Sequence, residues 1–372
     1  MKTLVRPAGA LMALLVSMLV IPGAYSQRNF RIIERHPTPD NIPEVTDPKF
    51  ILREEPASTF LNEYEYETIT IGVAEGEHHE MFGKVADIAS MGNDTFLVLD
   101  SEYGELRLYN YDGSLLGTFG QLGEGPGEFP DSPDHISIAD QGKSVFTVGS
   151  GSHFIIAFER EDVSTFTPKL RFVKDLIGST GCAMNGHFWF LGYTPSVKGV
   201  LHKYNYEGQR VASFLDYYKS PREYISHRLS KMGSIACSEK HGIVALNRVN
   251  APVITGYTED GEVVWQIKLA DFAPLQFIEL SPPGWGGDIP KPGKALIWSL
   301  FTDSAGDFYV YYHVIEGDGH LFKIEAQTGK GTYLGKSPQA QVWDIDSEFV
   351  FSASNSPFPH VVIHRPKKAG SN

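Results

Sequence analysis

From Tyr64 onwards, apolar and polar positions alternate in short runs, and each break carries Gly, Asn or Asp. Alternation with a period of two predicts half-buried β-strands, and the breaks predict tight turns. One unit shows this clearly. Asp87 to Ala89 reads as a first strand, Gly92-Asn93-Asp94 as a turn, Thr95 to Asp100 as a second strand and Glu105 to Tyr109 as a third. Asp112-Gly113 turns the chain into a fourth strand, Leu115 to Phe119. Four antiparallel strands in about 35 residues make one propeller blade.

The unit recurs from His135 to Leu176, Thr180 to Leu215, Met232 to Leu269 and Ala295 to Leu334. Recurrence at such a period marks a repeat architecture. Third-to-fourth-strand turns fall at Glu207-Gly208, Asp260-Gly261 and Thr328-Gly329, while the second copy has the less regular Glu161-Asp162. Gln341 to Ile363 supplies three further strands, and Tyr66 to Ile71 is a strand without a blade of its own. Pairing the two closes the ring and removes open sheet edges. The expectation is an all-β, six-bladed β-propeller of four-stranded antiparallel blades over residues 64–365, closed by the N-terminal strand joining the C-terminal blade.

The loop Gly120-Gln121-Leu122-Gly123-Glu124-Gly125-Pro126-Gly127-Glu128-Phe129 links the first unit to the second. Its counterpart ahead of the first unit is Gly72 to Phe82, and Pro221-Arg222-Glu223-Tyr224 keeps a trace of it. Together with Leu97-Val98-Leu99-Asp100 and Leu106-Arg107-Leu108-Tyr109, this loop resembles the NHL-repeat and TolB-like six-bladed propellers, which include many bacterial exported proteins. The resemblance implies the fold over residues 64–365, is sharp over residues 66–140, and specifies no activity. The loop has no Gly-Lys-Ser/Thr and opens no helix, so its glycines point to a tight crossing between blades rather than a phosphate cradle. Glu77-His78-His79-Glu80 looks like a metal cluster until aligned with the same loop, where glycine, proline and glutamate stand. It reads as a solvated linker.

Lys2, Arg6 and the apolar stretch from Ala8 to Val20, followed by Ala24-Tyr25-Ser26, read as a signal peptide over residues 1–26. Pro37, Pro39, Pro43, Pro48 and Pro56 make residues 27–63 an extended arm, and residues 366–372 form a polar tail. The formal charge of −13 becomes −15 once the signal is removed. Such acidity argues against nucleic acid, which would need a basic footprint. No later run is long enough to span a membrane as a helix. The expected location is outside the cytoplasm, periplasmic or extracellular. Cys182 and Cys237 fall near the ends of first strands on neighbouring blades. Inner strands there are expected to stand too far apart for a bridge, so both are read as free, buried thiols.

In propellers the loops joining blades, and those joining second to third strands, gather on one face around the central channel. Here that face would collect Asp87, Asp100, His135, His227, Arg228, Arg248, Trp298, His313 and Asp344. The connection from Asp271 to Lys294, with Phe277, Trp285, Gly286, Gly287 and Asp288, is the largest departure from the repeat and could cover the channel mouth. Candidate ligand-binding residues are therefore Asp100, His135, His227, Arg228, Arg248, Trp285, Asp288 and His313. Asp87 and Asp344 are the candidates for holding a channel cation such as calcium. Trp189, Trp265 and Trp343 sit within strand patterns and read as packing between blades. Gly-x-Ser-x-Gly and His-Glu-x-x-His do not occur. The leading expectation is a non-catalytic binding module for a protein, peptide or small molecule, with no cofactor. The alternatives are a metal-dependent hydrolase or lyase, as in the similar propellers of sugar lactonases and peptide-amidating lyases, and an envelope-assembly role of the TolB kind.

Overall fold

Residues 31–35, 66–149, 154–173, 177–193, 196–217, 226, 230, 233–248, 253–268, 276–280, 285–289, 295–314, 319–336 and 341–367 are described by a computed structural model. Blade one is Val85–Gly92, Thr95–Asp100, Glu105–Asn110 and Leu115–Phe119. Blade two is His135–Ala139, Ser144–Val148, Phe154–Arg160 and Phe166–Val173. Blade three is Ile177–Met184, His187–Tyr193, Leu201–Asn205 and Arg210–Phe214. Blade four is Gly233–Ser238, Ile243–Arg248, Val253–Thr258 and Val263–Lys268. Blade five is Ala295–Thr302, Phe308–Val314, Gly319–Ile324 and Gly331–Lys336. Blade six takes Val342–Asp346, Phe349–Ser354 and His360–Pro366 from the C-terminal side and Tyr66–Ile71 from the N-terminal side. Tyr66 pairs with Pro366 and Ile71 with Val361, antiparallel.

Each blade is an ordered four-stranded antiparallel meander, and first strands of successive blades touch in one closed cycle around the channel. One apolar cluster fills every junction between neighbouring blades. Blades are therefore covered on both faces. All six residues of Thr95–Asp100 and all six of Ile243–Arg248 are buried. Trp189 packs in the junction of blades three and four, Trp265 in that of four and five, and Trp343 against that of six and one.

The turn glycines serve packing as well as chain reversal. Gly208 and Gly329, in the left-handed region at φ +80° and +67°, lie against Phe172 and Trp265 on the outer strand of the preceding blade. A Cβ would sit 2.6 Å from the Phe172 Cβ in the first case and from the Trp265 ring in the second, closer than carbon atoms approach. Gly261 meets Phe214 in the same way. Blade two lacks this glycine, and the small residue is instead opposite it. Gly117 on blade one's outer strand leaves room for the Ser164 carbonyl, which would lie 2.9 Å from a Cβ.

The glycine-rich loop after blade one is a compact crossing. Gln121–Leu122 pairs with Glu128–Phe129, and the Glu128 carboxylate accepts the Gly125 N–H at 2.7 Å. Its counterpart repeats the device, with Glu80 accepting the Glu77 N–H at 2.9 Å. His78 reaches Glu105 at 2.8 Å. The Glu77-His78-His79-Glu80 run thus braces a loop.

A second, small unit is a three-stranded antiparallel sheet of Arg31–Arg35, Gln276–Leu280 and Trp285–Ile289. The arm therefore carries a strand and the long connection a hairpin, where extended chain and loop were expected. Ile32, Ile33, Phe277 and Ile278 supply the β-favouring residues. The prolines and glycines around them hide the pattern.

Candidate functional site

The first strands line the channel, and their polar side chains reach sideways into the neighbouring blade. Asp87 is 7% exposed. Its Oδ1 accepts the Ile88 N–H at 2.9 Å, and its Oδ2 accepts the Ile136 N–H of blade two at 2.7 Å. His135 Nδ1 lies 2.8 Å from the same Oδ2, and His135 Nε2 lies 2.9 Å from the Gly181 carbonyl of blade three. A carbonyl on one ring nitrogen and an already hydrogen-bonded carboxylate on the other call for a proton on both. Burial opposes the charged imidazole, but the Asp87 carboxylate and the Gly181 carbonyl outweigh it and raise its pKa.

Asp344 repeats the arrangement at the opposite junction. Its Oδ1 accepts the Ile345 N–H at 2.8 Å and its Oδ2 the Ser90 N–H of blade one at 2.5 Å. Burial pushes its carboxyl well above the usual range, against those two N–H groups, and the negative charges of Asp346 and Asp87 add to the rise. Asp346 accepts the Tyr111 hydroxyl at 2.5 Å, and Ser90 Oγ meets the same hydroxyl at 2.7 Å. Burial and this bond to Asp346 raise the pKa of Tyr111.

The remaining junctions are tied by other chemistry at the same inner wall. The Ala183 N–H donates to Ser137 Oγ at 2.9 Å between blades two and three. Cys182 and Cys237 form a disulfide between blades three and four, with Cα atoms 5.6 Å apart. This corrects the expectation of free thiols. Inner strands converge on the channel axis, and here their separation falls inside bridging range. Thr302 Oγ1 donates to the Cys237 carbonyl at 3.0 Å between blades four and five, and Ser299 Oγ to the Val342 carbonyl at 3.3 Å between five and six. Every junction of the ring thus carries a polar or covalent tie from first strand to first strand.

Asp100 lies elsewhere. It is fully buried, and it accepts the Gly83 and Lys84 N–H groups at 2.8 and 3.0 Å and that of Glu102 at 3.2 Å. The Arg107 guanidinium stands 3.7 Å away. Asp100 pins the preceding inter-blade loop to the end of blade one. Arg248, 5% exposed, donates from one guanidinium nitrogen to the Asp216 carbonyl at 3.0 Å, and burial lowers its pKa. His227 and Arg228 lie outside the described residues. Trp285, Asp288, Trp298 and His313 lie on described strands, with side chains outside the description.

Asp87, His135 and Asp344 therefore fall on the inner wall, with Asp87 and His135 in contact. Asp346, Ser90, Ser137, Ser299 and Thr302 complete the wall, Tyr111 reaches Asp346 from a blade-one turn, and none of these was picked out from the sequence. Among the described residues, no group of three or more His, Cys, Asp or Glu is arranged to hold a metal ion. A general base needs a free lone pair, and a metal needs open carboxylate oxygens. The oxygens of Asp87 and Asp344 and the nitrogens of His135 already have protein partners.

No protein-family model matches the chain, and no curated protein does. Solved structures do. A Bacteroides fragilis protein thought to be exported superposes with a TM-score of 0.56 at 11% identity, over 86% of this chain and 99% of its own. A member of the DUF4221 family from Bacteroides vulgatus superposes at 0.51 with 8% identity, over 83% of this chain and 100% of its own. At such identities the similarity shows the propeller fold alone.

Proposed function

We propose that the chain is an exported, non-catalytic binding module of the NHL-repeat and TolB-like kind, presenting its channel face to a protein, peptide or small-molecule ligand. The observation that carries this reading is the occupation of the inner-wall acids and histidine by neighbouring blades. These groups hold the ring, and recognition is left to the loops around it. His227, Arg228 and Arg248 are the recognition groups of the channel face in this reading, and Trp285 and Asp288 of the long connection are recognition groups in their own right. Export is supported by the signal-like residues 1–26, by the Cys182–Cys237 bridge, which belongs to an oxidising compartment, and by the likeness to a protein thought to be exported.

The test uses the purified mature chain in two arms. Turnover is measured on a panel of lactones, esters and peptide amides with calcium and with a chelator, and metal content is measured on the protein as isolated. The binding reading expects no chelator-sensitive turnover. Stoichiometric metal together with turnover abolished by the chelator would overturn it in favour of a lactonase-like enzyme.

A further inference from the structure

On the face carrying the first-to-second and third-to-fourth strand turns, a cleft of about 430 Å³ opens between blades one and six. It is lined by Asp94, Asn110, Tyr111, Asp112, Phe349 and Arg365. Its position follows from chain closure. The third and fourth strands of blade six come from opposite ends of the chain, so no tight turn joins them beside blade one. Blade one brings both of its turns to the same place, through Asp94 and through Asn110 to Asp112.

The lining is specific in its chemistry. Tyr111 and Phe349 form an aromatic pair with ring centroids 4.6 Å apart. The Tyr111 ring is held from behind by its hydroxyl, which Asp346 and Ser90 engage at 2.5 and 2.7 Å. Asp112 accepts the Ser114 N–H at 2.9 Å and is exposed at the rim of the cleft. Asp94, Asn110 and Arg365 have no side-chain hydrogen bond or ion pair among the described residues. Two carboxylates against one guanidinium leave the lining net negative, which disfavours an anion, and the guanidinium among them breaks up any all-oxygen cage for a cation. A neutral ligand rich in hydroxyl groups meets neither penalty. Its hydroxyls can donate to Asp94 and Asp112, accept from the guanidinium fork of Arg365 and do both with Asn110, while its C–H face lies against Phe349.

We infer that this cleft is a binding site for a neutral sugar, separate from the channel face. A pre-formed concave site with an aromatic side and a few convergent polar groups is what small-molecule recognition requires. The site does not depend on the function proposed for the channel face.

The experiment is saturation-transfer NMR on the full mature chain. The probes are a panel of neutral pentoses, hexoses and their disaccharides, with free amino acids as the zwitterionic comparison. The expected result is saturation of one or more sugars and of no amino acid. Asn110→Ala and Arg365→Ala should each weaken that sugar by roughly tenfold or more, the effect of losing one hydrogen bond to the ligand and leaving its partner group unmet. Both substitutions are at the surface of the cleft and should leave the melting temperature unchanged, which separates lost recognition from lost folding. Saturation of amino acids in place of sugars, no saturation by any sugar, or sugar binding that survives both substitutions would overturn the inference.

Discussion

Removing the Cys182–Cys237 bridge should weaken the whole ring rather than one blade. The two cysteines are 55 residues apart in the chain and join blades three and four at the inner wall. Opening a loop of that length returns conformational entropy to the unfolded chain, and the chain-entropy relation gives about 4 kcal/mol at 25 °C. Cys182 lies in the apolar cluster of that junction with Trp189, Leu191 and Leu246, so a Cys182→Ala/Cys237→Ala protein keeps its packing nearly intact. The bridge should then account for most of the difference. For a chain this long, each kcal/mol moves the melting temperature by roughly 2 °C, so the double variant should melt about 8 °C lower. Urea unfolding followed by tryptophan fluorescence measures the free-energy difference, and thiol titration of the denatured wild type under non-reducing conditions measures the bond itself. Two titratable thiols in the wild type, or identical urea midpoints for wild type and variant, would refute the reasoning.

The Asp87–His135 clasp should make stability depend on pH. Its folded-state histidine pKa is raised, so its contribution is complete below about 6.5, the unfolded value, and is lost as pH rises through the folded value. His135→Asn should flatten that part of the stability profile, and a variant with the wild-type slope would count against a charged clasp. Closure of the ring can be tested by truncation. Deletion through Pro56 removes Arg31–Arg35 from the small sheet but should leave the ring intact, whereas deletion through Ile71 also removes the partner of His360–Pro366, exposes a sheet edge of the ring and should lower the melting temperature further and promote aggregation. Equal melting of the two truncated chains would argue against closure by Tyr66–Ile71.

The blades were readable because their signals are local. A strand such as Thr95–Asp100 and a turn such as Asp112-Gly113 show themselves within a few residues, and repetition makes the pattern unambiguous. The inner wall was readable only in part. Asp87 and Asp344 stand out as carboxylates on inner strands, but a buried acid looks the same in sequence whether it meets a cation or a backbone N–H. The partner that decides lies far away: Ile136 is 49 residues from Asp87, and Ser90 is 254 from Asp344. The disulfide escaped for a similar reason, since the spacing of inner strands is a property of the closed ring and not of either blade. Asp100 did carry a local signal. An aspartate at a strand end followed by Ser-Glu-Tyr-Gly fits a side chain turned back on nearby N–H groups.

The distribution of charge along the wall bears on the choice between a scaffold and a cation site. Asp87, Asp344 and Asp346 all lie on first strands flanking or belonging to the two junctions of blade one, so a divalent ion would find carboxylates there. To bind, it would have to share oxygens that already accept the N–H groups of Ile88, Ile136, Ile345 and Ser90. Where the ion drew an oxygen away from its N–H, that N–H would be left buried without a partner, at a cost of about 1–3 kcal/mol. Binding by the inner wall would therefore compete with the bonds that hold two junctions of the ring. Binding by the loops, or by the cleft at the seam, leaves all six ties in place.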